Sequence, residues 1–132
     1  QPAMNIDAFR RLQEYAEHSP HRGKIKTPDI RAHGENALCG DTLTLTCLLI
    51  NGKVTDVKFE HTGCALSAAA AARFSAQARG KTYEQLKKLS PDIFLRSLGI
   101  PVSPARIPCA LLPLAVAQSG VPIRKAVKRK RA

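Results

Sequence analysis

With 132 residues, 44% of them hydrophobic and 5% aromatic, the chain has the size of one domain around a single core and is too short for two. It contains no run of about 18 apolar residues and no charged-then-apolar leader, which speaks against membrane-spanning and secretory readings and makes a cytoplasmic protein the expectation. The net charge of +11 invites a nucleic-acid partner, but Arg124, Lys125, Lys128, Arg129, Lys130 and Arg131 gather at the end and leave +5 on the rest.

Residues 1–122 are therefore read as the domain and 123–132 as a basic, disordered tail that can hold acidic proteins or RNA. Met4 is expected to be the natural start. From Asn5, placed as a cap, Ile6, Phe9, Leu12, Tyr15 and Ala16 recur at helical spacing and predict an amphipathic helix to about His18. The stretch from Ser19 through Pro20 to Gly23 breaks it and begins a linker to Pro28. A short strand is expected near 29–34.

The runs Thr42–Ile50 and Lys53–His61, joined by Asn51-Gly52, predict an antiparallel hairpin, because that dipeptide accepts the positive φ angles of a two-residue turn. Leu43, Leu45, Cys47 and Leu49 alternate with threonines in the first run, and Val57 and Phe59 alternate with polar residues in the second, so one sheet face is buried. Cys47 shares the apolar parity and is read as a core residue. Ala65–Arg79 predicts a helix closed by Gly80. Thr82 with Gln85 forms a capping box for a short helix, and Ser90-Pro91 opens another. Pro101, Pro104 and Pro108 stiffen the loop 99–108, and a last helix is expected over about 109–118. Pro113 either kinks that helix or is its true first-turn residue with Cys109 left in the loop. The fold class is α+β, a small antiparallel sheet with a central hairpin packed against several helices.

In a reducing cytoplasm, four cysteines favour metal binding or thiol chemistry over disulfides. Three fall at element boundaries: Cys39 before the hairpin, Cys64 between its second strand and the Ala-rich helix, and Cys109 at the final helix. A helix N-terminus favours a thiolate, which serves Cys64 and, where it opens the final helix, Cys109. Asp41 follows Cys39 across Gly40, whose freedom at positive φ lets both side chains turn to one centre. Cys39, Asp41, Cys64 and Cys109 together make three thiolates and a carboxylate, a set that suits tetrahedral zinc or iron in a sulfide-bridged cluster. Arg106 can pair with Asp41 or steady a persulfide anion. His61, three residues before Cys64, is read as a strand-end histidine exposed to solvent, with a spare ligand or proton donor as the sharper alternative.

Asn36-Ala37-Leu38-Cys39-Gly40-Asp41, Gly63-Cys64 opening a small-residue helix, and Pro104-Ala105-Arg106-Ile107-Pro108-Cys109 resemble the three-cysteine pattern of the IscU/SufU/NifU N-terminal family of iron–sulfur cluster assembly proteins. The resemblance runs from about Asn5 to Ser119. It implies a three-stranded antiparallel sheet packed by helices, and a site on Cys39, Asp41, Cys64 and Cys109 that holds zinc or, transiently, a 2Fe–2S cluster. It further implies a pyridoxal-phosphate cysteine desulfurase as sulfur donor, cluster carriers or acceptor apoproteins downstream, and Cys109 or Cys39 as the persulfide acceptor, with Arg106 beside them. Such a protein is a scaffold or sulfur carrier, or, if enzymatic, a zinc-dependent sulfurtransferase, and a monomer or weak oligomer.

The pattern is a mosaic. IscU-type proteins carry His before the third cysteine, where this chain has Pro108, and Arg106 instead resembles the SufU type. Most of the SufU-type insertion between the second and third cysteines is missing, and Ile100-Pro101-Val102-Ser103 only loosely echoes the chaperone-recognition motif Leu-Pro-Pro-Val-Lys. The alternative reading is a structural zinc module acting on RNA or acidic partners through its tail. Few aromatics and no RNA motif argue against nucleic acid, and the lack of a Cys-x-x-Cys pair argues against a thiol-redox enzyme.

Overall fold

Asn51 and Gly52 take φ angles of 54° and 80° in a computed structural model of the chain, closing the hairpin where the dipeptide predicts it. Residues 6–37 and 39–122 are described; the Asn5 cap and the basic tail lie outside them. Strands β1 (Ile30–Asn36), β2 (Asp41–Ile50), β3 (Lys53–Thr62) and the two-residue β4 (Val121–Pro122) form one antiparallel sheet in the order β3-β2-β1-β4. The strand expected near 29–34 is thus β1, extended to Asn36. Helices α1 (Ile6–Glu17), α2 (Ala65–Ala78), α3 (Tyr83–Lys87), α4 (Pro91–Ser97), α5 (Ile107–Ala110) and α6 (Leu112–Ser119) pack around it. No helix among the described residues is long and apolar enough to cross a membrane.

The sheet buries Ile30, Ala32, Leu43, Leu45, Cys47, Val57 and Phe59 on one face. Between Leu48 and Leu49 the β2–β3 register shifts, so that Leu48 faces Asp56, Leu49 faces Val54, and Thr55 is the extra residue. The bulge restores Val54 to the buried face, which plain alternation from Val57 would have turned outward. Cys47 belongs to the core as its parity predicts, and burial, with the charge of Asp56 adding, pushes its thiol up to about 12.

Helix α2 is the central layer. Ala69, Ala70, Ala71 and Ala72 are all buried, and their small side chains let β3, α1 and α6 approach it from different sides. Its far end is anchored by Phe74, whose ring meets Phe94 edge-on at 6.1 Å. The caps follow the sequence: Thr82 and Gln85 form a complete capping box on α3, and Ser90 accepts from the Ile93 N–H at the start of α4.

Two contacts between segments distant in sequence hold the outer elements to the sheet. Gly34 in β1 lies so close to Val116 of α6 that a Cβ there would sit 2.7 Å from the valine methyl, so α6 settles on the sheet only because Gly34 has no side chain. The linker after α1 also lies along the free edge of β3: the Phe59 N–H donates to the His21 carbonyl at 2.7 Å, and the Gly23 N–H donates to the Phe59 carbonyl at 2.9 Å. This covers an exposed strand edge and explains why His21 is buried, its Nδ1 3.0 Å from the Val57 carbonyl oxygen.

The final helix is two helices rather than the single one expected over 109–118. It breaks at Leu111, because Pro113 has no N–H to donate and its ring excludes the carbonyl four residues back. Pro113 is the first-turn residue of α6, and Cys109 sits in the separate turn α5 instead of a loop.

Candidate metal centre

Three segments far apart in sequence meet at one end of the sheet. The β1–β2 turn supplies Cys39 and Asp41, with Gly40 between them at φ +71. The ladder pairs Asn36 with Asp41, which puts that turn at the sheet's end. Gly63 and Cys64 leave β3 beside it, and α5 brings Cys109 from below.

The donor atoms of Cys39, Asp41 and Cys109 all lie within 4.8 Å of one another. The Cys109 thiol donates to the Cys39 sulfur at 2.9 Å, and the Asn36 amide donates to the Cys109 sulfur at 3.4 Å. Cys64 stands beside this group: its Sγ is 3.8 Å from Asp41 Oδ2, and its backbone N–H donates to Asp41 Oδ1 at 2.8 Å. Of the four predicted residues, then, three converge within that radius and the fourth is held next to the carboxylate.

Asp41 is fully buried, and among the described residues no basic side chain forms an ion pair with it. Burial opposes its charge, but the hydrogen bonds from the Cys64 N–H and from the side chains of Cys109, Ser67 and Cys64 prevail and hold the carboxyl below its ordinary value. A buried carboxylate without a cation, flanked by sulfur donors, is the chemistry of a divalent metal site, and soft thiolates with one carboxylate fit zinc or iron.

The cysteines differ. Burial first, then hydrogen bonds to Cys39 and Asp41 and the neighbouring negative charges, push the Cys109 thiol up to about 12, so a metal arriving there must displace a proton. Cys64 is also opposed by burial, yet hydrogen bonds from the Ser67 hydroxyl and N–H and from Arg106 bring its pKa below the ordinary thiol value, against the charge of Asp41. The Cys64 sulfur is the N-cap of α2, accepting from the Ser67 N–H at 3.5 Å.

Arg106 is exposed and faces the Cys64 and Cys109 sulfurs; its hydrogen bonds, to Cys64 first and then to Cys109, raise its own pKa, and it forms no ion pair with Asp41. His61 departs from its expected exposure: it is half-buried, its Nε2 2.6 Å from the Ser67 hydroxyl, and burial is the first cause of its lowered pKa. Ser67 is the residue that sequence reasoning passed over. It lies in a run read only for its alanines, and the one local signal is its place three residues after a cap position.

A family model described as NifU-like N terminal domain matches residues 10–130. The zinc-dependent sulfurtransferase SufU of Bacillus subtilis is 30% identical over an alignment of 136 positions that covers 89% of this chain and 92% of that protein. The iron-sulfur cluster assembly scaffold protein IscU 1 of Archaeoglobus fulgidus is 32% identical over 77 residues, 58% of this chain, and the match spans half of that protein's length. Among solved structures, a protein described as an iron–sulfur cluster assembly scaffold for the SUF system of Fervidobacterium islandicum superposes with a TM-score of 0.67 at 30% identity, covering 81% of this chain and 90% of the other.

Proposed function

We propose, because this chain belongs to the NifU-like N-terminal domain family, that it serves iron–sulfur cluster assembly as a sulfur acceptor built on a zinc site, with cluster as its cargo. The observation that carries this reading is the convergence of Cys39, Asp41 and Cys109 within 4.8 Å around a buried carboxylate that has no ion-pair partner among the described residues. Those three side chains, together with the adjoining Cys64 thiolate, would hold zinc; when bound, the ion would keep the sulfurs reduced and tie the β1–β2 turn to α5.

The chain's own residues divide the remaining work. Asn36 orients Cys109, the Gly63–Cys64 backbone orients Asp41, and Arg106 offers a fixed cation to anionic sulfur. A pyridoxal-phosphate cysteine desulfurase is the donor in this reading, and cluster carriers or apoproteins receive the product. A 2Fe–2S cluster formed on the same donors is the form in which sulfur would leave. The likeness to the zinc-dependent SufU over nearly its whole length supports the acceptor role, and Pro108 in place of an imidazole supports it further by leaving one donor fewer for a cluster.

Transfer of radiolabelled sulfur from cysteine tests the reading. With a cysteine desulfurase present, the full chain is expected to acquire a label that dithiothreitol removes. A chain that stays unlabelled while the desulfurase turns over contradicts it.

A further inference from the structure

Arg73 is the single charged side chain in the alanine-rich helix α2. It is half-buried, and its Nε lies out of reach of water with no hydrogen-bond partner. A guanidinium stays protonated at any ordinary pH, so its burial leaves a charge to be offset. This chain does not offset it. All ten of its Asp and Glu side chains lie among the described residues, and none of them forms an ion pair with Arg73.

Beside Arg73, helix α1 and the turn after α4 enclose a hollow of about 230 Å³. Arg73, Arg11 and Tyr15 form its polar side, and Ala8, Leu12 and Leu98 its apolar side. The Arg73 guanidinium lies over the Tyr15 ring, 5.2 Å from the centroid, which fixes the plane of its fork. Arg11 is exposed and likewise forms no ion pair among the described residues, although Asp7 and Glu14 are within one turn of it on α1. Two cations and no carboxylate therefore line the hollow.

The kind of anion follows from the lining. A carboxylate, planar and singly charged, matches the guanidinium fork edge to edge. A water molecule takes about 30 Å³ of liquid, so the space admits the carboxylate together with the methylenes that carry it, and the apolar wall suits those methylenes. Phosphate is disfavoured because the backbone donors at this corner are spent inside α4: the Leu98 N–H donates to the Leu95 carbonyl at 3.2 Å, and the Gly99 N–H to the Arg96 carbonyl at 3.2 Å. The last carbonyls of α4 also add a negative potential here that opposes a doubly charged ligand. Beyond the two arginines and the phenol, no polar side chain lines the hollow, so nothing holds the remainder of a free amino acid or dicarboxylate. A protein side chain has its remainder fixed by its own fold.

We propose that this hollow is a docking socket for one Asp or Glu side chain of a partner protein, gripped by Arg73 and attracted by Arg11. Its position gives the contact a use. Arg73 follows Cys64 by nine residues on the same helix, about 13 Å along the axis. A partner held here lies along the α1–α2 seam, which at its other end reaches Ala16, Glu17 and Cys64. The socket shares no residue with the metal centre, and the inference is independent of the metal.

Isotope-labelled full chain, followed by NMR, is titrated with the capped tripeptide acetyl-Ala-Glu-Ala-amide, with its Gln counterpart and with inorganic phosphate. The signals read are the Arg73 Nε–H and the backbone amides of Arg11, Leu12 and Tyr15. The expected result is a saturable shift with the Glu peptide and none with the Gln peptide. Arg73→Met, which keeps an unbranched stem and removes the fork, should weaken binding at least about tenfold, and Arg11→Gln about threefold. Shifts that are absent, equal for the two peptides, or unchanged in Arg73→Met overturn the inference. Tighter binding of phosphate than of the Glu peptide overturns it too, by making the hollow an inorganic-anion site. If Arg73→Met loses its fold, the exposed Arg11→Gln decides, and unweakened binding there overturns the inference.

Discussion

Gly63→Ala is expected to destroy the metal centre. Gly63 holds φ at +129, a conformation that costs a residue with a Cβ about 1–3 kcal/mol. A Cβ there would also lie 2.8 Å from the Asp41 Cα and closer still to its carboxylate oxygen, so the turn that presents the Cys64 N–H must move away from Asp41. Zinc affinity should fall by at least about 10–100-fold, the range seen when the groups that orient ligands are lost. Gly80→Ala is the matched control. Gly80 has φ +89 with nothing within 4 Å of its added Cβ, so it carries the strain without the collision. Zinc titration of the two variants separates the effects: Gly80→Ala should bind like the parent chain, and parent-like binding by Gly63→Ala would contradict the proposed role of the Asp41–Cys64 contact.

Removing Asp41 should have the second large effect. In Asp41→Ala, the Cys64 N–H loses its acceptor, which costs about 1–3 kcal/mol in the metal-free protein, and zinc loses its one oxygen donor. The pH dependence adds a signature. Because the native Asp41 carboxyl is held below its ordinary value of 3.8, the folded state binds fewer protons there than the unfolded chain. Its contribution is full above about pH 4 and is lost as pH falls through the native value, so the stability gap between the parent and Asp41→Asn should narrow only in acid. Urea titrations of metal-free protein at a series of pH values read this directly; a gap that stays constant into acid would mean that Asp41 is not the charged hub described.

The parts of this molecule governed by neighbours in sequence were legible before any coordinates. The Asn51-Gly52 turn, the Thr82–Gln85 capping box, the Ser90-Pro91 helix start and the buried parity of Cys47 each follow from a few adjacent residues. The parts that depend on distant packing were not. Cys39 and Cys109 stand 70 residues apart, and the close approach of Gly34 to Val116 of α6 likewise joins segments distant in sequence. The bulge at Thr55 depends on a register between two strands, and the burial of His21 depends on a linker lying along β3. His61 departs from its expected exposure for the same reason. Its partner Ser67 is on the next helix, where an Ala-rich pattern hides a single hydroxyl. The three cysteine contexts were readable as a motif, but which cysteines would share one radius was settled only in three dimensions.

Zinc content and X-ray absorption of the full chain, purified without oxygen, test the centre most directly. The account predicts about one zinc per chain with mainly sulfur neighbours near about 2.3 Å and an oxygen near about 2.0–2.2 Å. Protein that holds no metal after purification and takes up none on titration would contradict it.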